Sequence, residues 1–598
     1  MAHSTYLPEK MGSATVEVDG KPGGSFEAGS FHEFTVTYTA GYFGIDDTGS
    51  IKIVHRFASD MGRPQFDNPT APNYTTVEAS NGAILHVEYD MKRNIRPWDK
   101  TVYIKIVRSF LKEGDRIIVR FGDRREGSPG MRVQTFCEDT FEFRFLVDAI
   151  ATYNYVELPD QPEISIVPGP PALFKAILPT LRRTGDEFRL CMKGEDKWGN
   201  PSDQCGQTFT LRANRVVDGL PETVTFEKGG FGQIIEGLSV GSEGDLFIDL
   251  LDEDGAVAAT SNPCRFVGPK SSGAGLLPYW GDLHGQSEET IGTNSAKDFY
   301  DFARDKAFLD VCVHQGNDFQ ITTPFWEWLN ELSAEYTEDG SFIVFPGWEW
   351  SGNTGLGGDR NVLHMEEGKQ IHRSSHALVD DLSDTDTDCN SAEDLFVALK
   401  DEDCVVFAHI GGRYADITIA HDVRLERAVE VHSAWGTFEW LVEDAFEQGF
   451  RVGIVSNSDG HKGRPGASHP GATKFGAYGG LTCTLAPDFT RAGLMEGLRK
   501  RHHYGTTGNR VILDTRVTFD SPAELFSDDP KLGDTTSEPA SEAMMGDILK
   551  SGDAEVTFRV DVNANSPVER IDIRNGLDTV EVIRPYAEAD LGSRIRVL

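Results

Sequence analysis

The residues able to do chemistry cluster in the middle of the chain. His284 and Gln286 lie in D-L-H-G-Q, and His314, Asn317 and Asp318 in H-Q-G-N-D. Glu349 follows in F-P-G-W-E-W, and Asp359 and His364 in G-G-D-R-N-V-L-H. His409 sits in F-A-H-I-G-G-R, His432 in E-V-H-S, and Asp459 with His461 in S-N-S-D-G-H. Imidazole and carboxylate donors without thiolate suit Zn, Mn or Fe. Any one of these histidines alone is more often structural. Together, at the ends of successive predicted strands, they point to a metal site.

The elements that must position them alternate. Short strands are expected at Trp280–Leu283, Leu309–Val313, Ser341–Phe345, Val405–Ala408, Ala428–Val431, Val452–Val455, Leu481–Leu485 and Tyr504–Thr506. Helices are expected from the Asn294/Ser295 cap to Ala307, over Pro324–Glu335 and Ser391–Lys400, over Thr437–Gln448 and over Thr490–Arg501, from their caps and apolar spacing. Repeated βα units imply a parallel sheet with helices outside, whose strand ends converge on one face. The expected fold is multidomain: an N-terminal all-β sandwich-like region, a central distorted (β/α)7-type, TIM-like barrel, and a C-terminal β segment. The boundaries are 1–150 for a β-sandwich-like unit, 151–270 for a second β domain, 276–510 for the α/β barrel and 511–598 for the β tail. No catalytic cluster is evident before residue 270, so those β domains read as scaffold, lid or assembly surface. Glu366–Asp388 shows no periodicity, and its acidic end reads as solvated loop. Ser521–Ala543 also reads as a long loop.

With 57 basic and 95 acidic residues the net charge is −38, which disfavours nucleic acid and anionic membranes as partners. An anionic substrate would need basic residues near the site to offset that field. No apolar run approaches the roughly 18 residues of a spanning helix, and the N-terminus lacks a basic-then-apolar signal. The eight cysteines form no C-x-x-C, which fits free thiols in a reducing cytoplasm. Cys191 and Cys205 are the one pair worth checking for a bridge.

The stretch from about 277 to 510 resembles the PHP (polymerase and histidinol phosphatase) superfamily of metal-dependent hydrolases, specifically a branch with a β region in front and a β tail behind. The resemblance rests on D-L-H-G-Q, G-W-E-W, A-H-I-G-G-R, S-D-G-H-K-G-R-P-G and R-H-H-Y-G-T-T-G-N-R-V. It implies metal ligands at His284, Gln286, Glu349, Asp359, His409, Asp459 and His461, holding one or two divalent ions (Mn, Zn or Fe). Three positions depart from the family pattern. Gln286 replaces a histidine, Gly316–Asn317 replaces an Asp-His pair, and Asp359 stands where a histidine is expected before R-N-V. Glu349 would bridge two ions.

His314 or His432 could protonate a leaving group. Arg413, Lys462 and Arg464 could hold an anionic group, with a surface salt bridge the plainer role. Trp280, Trp348, Trp350 and Trp435 flank the ligands, lining a pocket or packing at its mouth. The expected function is a metal-dependent hydrolase that acts through activated water on a phosphoester, or on a carboxyl ester or lactone, of a small molecule. The alternatives are a metal-assisted lyase, or a non-catalytic ligand-binding protein with a degenerate site. Self-association would run through the β domains.

Overall fold

The computed structural model describes residues 3–271, 275–466, 477–552 and 555–585. Strand dominates, at 40% against 11% helix. Near the N-terminus, F-T-V-T-Y-T-A alternates so that Phe34, Val36, Tyr38 and Ala40 turn to one buried face, as the two-residue period of a strand requires. This strand pairs antiparallel with Gly12–Val18 on one side and Arg116–Phe121 on the other. A second antiparallel sheet contains Arg144–Asp148, Ser50–His55, Lys100–Arg108 and Ile84–Asp90. Val36, Tyr38 and Phe121 of the first sheet share one core with Ile51, Ile53, Val102 and Phe145 of the second. Strands between Leu173 and Val267 build a separate core around Phe188, Leu190, Phe209, Leu250 and Phe266.

The central region corrects the expectation of a closed (β/α)7-type, TIM-like barrel. Among the described residues its strands form two mixed sheets. One runs in the order Ile343–Val344, Val311–Cys312, Leu277–Asp282, Leu481–Ala486, His503–Thr506. The other runs Gly347–Trp350, Arg360–His364, Cys404–Ala408, Glu426–Ser433, with Gly453–Ser456 added parallel to the last. A βα barrel needs each strand parallel to the next with a helix crossing between them. Here Gly347–Trp350 and Arg360–His364 form an antiparallel hairpin, and Leu277–Asp282 meets Leu481–Ala486 antiparallel. No α-helix is found between Tyr336 and Ala392 among the described residues. The barrel expected from the repeated βα units is therefore not the fold of this chain.

The helices lie near the expected positions: Ala296–Asp301, continued as a π-helix over Phe302–Lys306, then Thr323–Tyr336, Ala392–Leu399, Trp440–Glu447 and Arg491–Arg499. Ser295, Thr322, Ser391 and Thr490 cap four of them by accepting a backbone N–H. Two expected loops are structured. Ile512–Phe526 is one long strand paired with Ser537–Met544 across a bulge, so much of the acidic Ser521–Ala543 stretch is ladder. In the acidic insert, Asp384 and Asp388 grip His376 at 2.8 and 2.9 Å, and Asp384 also pairs with Arg373 at 2.6 Å. The end of the expected β tail, R-I-R-V-L at 594–598, which reads as a strand in sequence, lies outside the described residues. All eight cysteines are free, including Cys191 and Cys205. Among the described residues no helix is long and apolar enough to cross a membrane.

One buried ion pair ties the second central sheet together. Arg360 Nε lies 2.5 Å from Glu426 Oε1, both side chains fully buried, and His421 Nδ1 lies 2.7 Å from Glu426 Oε2. Arg360→Met leaves that carboxylate short of its main countercharge, at a cost of about 3–5 kcal/mol. The expected result is a lower urea midpoint, followed by fluorescence of the buried Trp280, Trp348 and Trp350. An unchanged midpoint would show that the pair contributes nothing.

Candidate metal centre

The strand–turn units converge through hydrogen bonds between their loops. After Leu277–Asp282 the chain turns, and the Leu283 N–H donates to Asn457 Oδ1 at 2.9 Å. The Gln286 N–H donates to the Gly460 carbonyl at 2.8 Å, and Ser458 Oγ donates to the His284 carbonyl at 3.1 Å. These contacts lock D-L-H-G-Q against S-N-S-D-G-H, residues about 170 positions apart. Asp459 adopts φ 44°, a left-handed conformation uncommon outside glycine and associated with functional turns. On the other side, Glu349 and Asn361 are register partners in the hairpin, and His409 follows the next strand directly.

The result is a dry cluster. His284, Glu349, Asp359, His409 and Asp459 are each at most 3% exposed. Single ligand atoms of His284, His409 and Asp459 lie within 4.8 Å of one another, as do those of Glu349, Asp359 and His409. His284 Nε2 is 3.3 Å from Asp459 Oδ1 and 3.7 Å from Glu349 Oε2. His409 Nε2 is 3.7 Å from Glu349 Oε1 and 3.9 Å from Asp359 Oδ2. Four of these buried atoms, His284 Nε2, His409 Nε2, Asp359 Oδ2 and Asp459 Oδ1, make no hydrogen bond. Buried polar atoms are normally satisfied, so four orphans on two triads that share His409 fit a cation-binding centre.

The outer faces of the histidines are held. His284 Nδ1 lies 3.1 Å from Glu430 Oε2, and the Asn361 amide lies 3.1 Å from His284 Nδ1 and 3.3 Å from His409 Nδ1. An amide's two ends are alike in shape. With its oxygen toward the rings, Asn361 accepts from both Nδ1–H groups and leaves both Nε2 lone pairs facing inward. Asn457 steadies Glu430 by donating at 2.7 Å.

The electrostatics show what the cluster lacks. Burial works against a charged His284, but Asp459, Glu430 and Glu349 outweigh it and hold its proton affinity well above the ordinary value. His409 is pushed well below by burial and by the charges of His284 and Arg413. Burial and Glu349 push Asp359 well up, against Arg413. Burial raises Asp459 to about 7; the His284 charge opposes this, while Glu349 and Glu430 add to it. Carboxylates this crowded and this dry favour a cation in their midst.

The other expected residues divide. Arg413 belongs to the cluster, donating from Nε to Asp359 at 2.8 Å, with Nη2 3.6 Å from Glu349. His461 stands at the edge, 3.9 Å from Asp459 Oδ1 and packed edge-on against Phe57 and Trp435. Gln286 is buried beside Glu349, donating to Oε2 at 3.2 Å while its own oxygen accepts from Thr290. In that arrangement it steadies Glu349 and offers no oxygen to the centre. His314 is elsewhere: its Nε2 accepts from the Ser287 N–H at 3.1 Å, and burial lowers its pKa to about 3. His432 is also diverted, with Nδ1 on Thr437 Oγ1 at 2.7 Å and Nε2 on the Tyr478 carbonyl at 2.9 Å. The register slips by one residue between Glu430 and His432, and this bulge breaks the alternation that would keep both on one face. Lys462 is buried over the Phe136 ring, 4.8 Å from its centroid, and Arg464 bonds to Asn200 of the second β region. His364 stacks on Trp348, and Asp318 is bound by Ser374. Trp280, Trp348 and Trp350 are core residues.

Glu430, Asn361 and Asn457 are the residues that sequence reasoning missed. The available signal was Glu430 itself, a carboxylate set between Val429 and Val431.

No family model matches the chain. An uncharacterized protein of Chlamydia pneumoniae is 22% identical over 470 residues, covering 73% of each chain. One of Chlamydia muridarum is 23% identical over 494 residues, covering 76% of each. Among solved structures, the Yersinia pseudotuberculosis adhesin InvE aligns with 45% of this chain and 64% of its own at 10% identity and a TM-score of 0.15. The D0-D1 domain of intimin aligns with 42% of this chain and 97% of its own at 11% identity and a TM-score of 0.13. At such scores these structural likenesses carry no argument.

Proposed function

We propose that this chain is a metal-dependent hydrolase of a small-molecule ester, phosphoester or carboxyl ester. The observation that carries the reading is a set of four unsatisfied buried ligand atoms, two imidazole and two carboxylate, on two triads that share His409. His284, His409, Asp359 and Asp459 would hold the ion, with Glu349 placed between the two halves of the set. This nitrogen and oxygen donor set fits Zn, Mn or Fe. A divalent ion there supplies Lewis acidity toward a phosphoryl or carbonyl oxygen and makes water a better nucleophile near neutral pH. Glu430 and Asn361 keep the two imidazoles aimed inward. Arg413 holds Asp359 in place and presents a guanidinium at the rim. The surrounding core excludes water, so each of these charges acts at low dielectric.

The plainest test is elemental analysis of the purified protein, followed by turnover of a generic phosphoester and a generic carboxyl ester with and without chelator. About one or more divalent ions per chain and loss of turnover on chelation are expected; a metal-free protein indifferent to chelator would overturn the reading. Glu349→Gln and Asp459→Asn should each abolish turnover while the melting of the β domains stays as in wild type. Glu430→Ala removes only the outer partner of His284. It should weaken metal binding about 10–100-fold, read by competition with a chromogenic chelator, and an unchanged affinity would remove Glu430 from the account.

A further inference from the structure

The N-terminal sandwich reaches the cluster. Arg56 donates from Nη1 to the Glu288 and Gly292 carbonyls, both at 2.9 Å, and Asn294 Oδ1 accepts from the Asp139 N–H at 3.2 Å. The loop after His284 is thereby clamped to the sandwich. From loops on the same side, Phe57 packs against His461 with centroids 6.0 Å apart, and the Arg96 guanidinium lies 4.7 Å from the centre of the Phe57 ring.

Arg96 makes no hydrogen bond or ion pair among the described residues. The charges that act on it are Asp99, Arg413 and Glu349, and Phe57 alone separates it from His461 at the edge of the cluster. The Lys462 ammonium, buried over the Phe136 ring, makes no hydrogen bond among the described residues. Its charged surroundings are Asp60, Arg464, Lys100 and Arg132. On a chain of net charge −38, this is a local excess of cations. Burying a cation without a partner is costly. Arg413 now leans on Asp359 and Glu349, two carboxylates that a metal ion would claim. Once they are claimed, Arg413 loses its carboxylate partners, and its charge and that of Arg96 act on each other.

We propose that the sandwich completes the site: Arg96 forms one wall of an oxyanion subsite whose other wall is Arg413, and the substrate carries a phosphate, sulfate or carboxylate group that docks between them. The planar guanidinium fork suits such groups because it donates two parallel hydrogen bonds. The inference rests on the metal-centre reading above and names the class of substrate that the centre takes.

The test uses the full-length protein as purified, with its metal content measured on the same sample. Inorganic phosphate, sulfate and acetate are titrated by calorimetry into wild type, Arg96→Ala and Arg96→Lys. At least one anion should bind wild type, and Arg96→Ala should weaken that anion about tenfold or more, with Arg96→Lys intermediate and metal content unchanged. The anion that binds tightest identifies the substrate group. If Arg96→Ala fails to fold, Arg96→Gln, which keeps a polar side chain without the charge, is read in the same way and should weaken the same anion. No binding of any anion to wild type, or equal binding to wild type and a folded Arg96 variant, would overturn the subsite. A wild type without metal would instead overturn the metal-centre reading, and the difference between wild type and variant would still decide the subsite.

Discussion

Four carboxylates in a dry interior set the terms for the central region. Glu349, Asp359, Glu430 and Asp459 are each at most 3% exposed, and their mutual repulsion at low dielectric is large. Among the described residues the opposing charges are few. Arg413 serves Asp359 and Glu349, and His284 lies against Asp459 and Glu430. A folded chain holds such a group together only where other interactions over-determine it. Here the loop-to-loop hydrogen bonds at Leu283, Gln286 and Ser458, and the buried Arg360–Glu426 pair, do that.

Much of the candidate site was legible from residue type. His284, Glu349, Asp359, His409 and Asp459 stand out as donors at the ends of apolar runs, and the structure brings all five together. What sequence could not separate was direction. His314 and His432 carry the same signal as His284 and His409, yet one is turned by Ser287 and the other by a bulge. Glu430 and Asn361 carry no signal as donors, because their part depends on lying behind a ring rather than at a strand end. Helix caps such as Ser295 and Ser391 announced where helices begin, since capping is local. The barrel was not legible. Apolar runs of four to six residues give strand positions but no strand direction, and the hairpin between Gly347 and His364 reverses the chain where a crossover was expected.

The division of labour between domains also changes. The β domains looked like scaffold because no cluster of chemical groups occurs within them. Their contribution is made across an interface, through Arg56, Asn200, Phe57 and Arg96, none of which is informative by itself. Side chains of this kind become interpretable only once the loop they touch is known.

The pairing of Glu349 with Asn361 in one ladder has an evolutionary corollary. The carboxylate at the heart of the cluster and the amide that aims both imidazoles form a single cross-strand rung. A one-residue slip in this hairpin would turn both outward together, whereas the loop between the two strands is held at Ser351, Gly357, Gly358 and Asp359 and can vary elsewhere. Drift in this chain is thus channelled into loop sequence and away from ladder length. The rim of the cluster can be rewritten around an inner frame that inherits as a block.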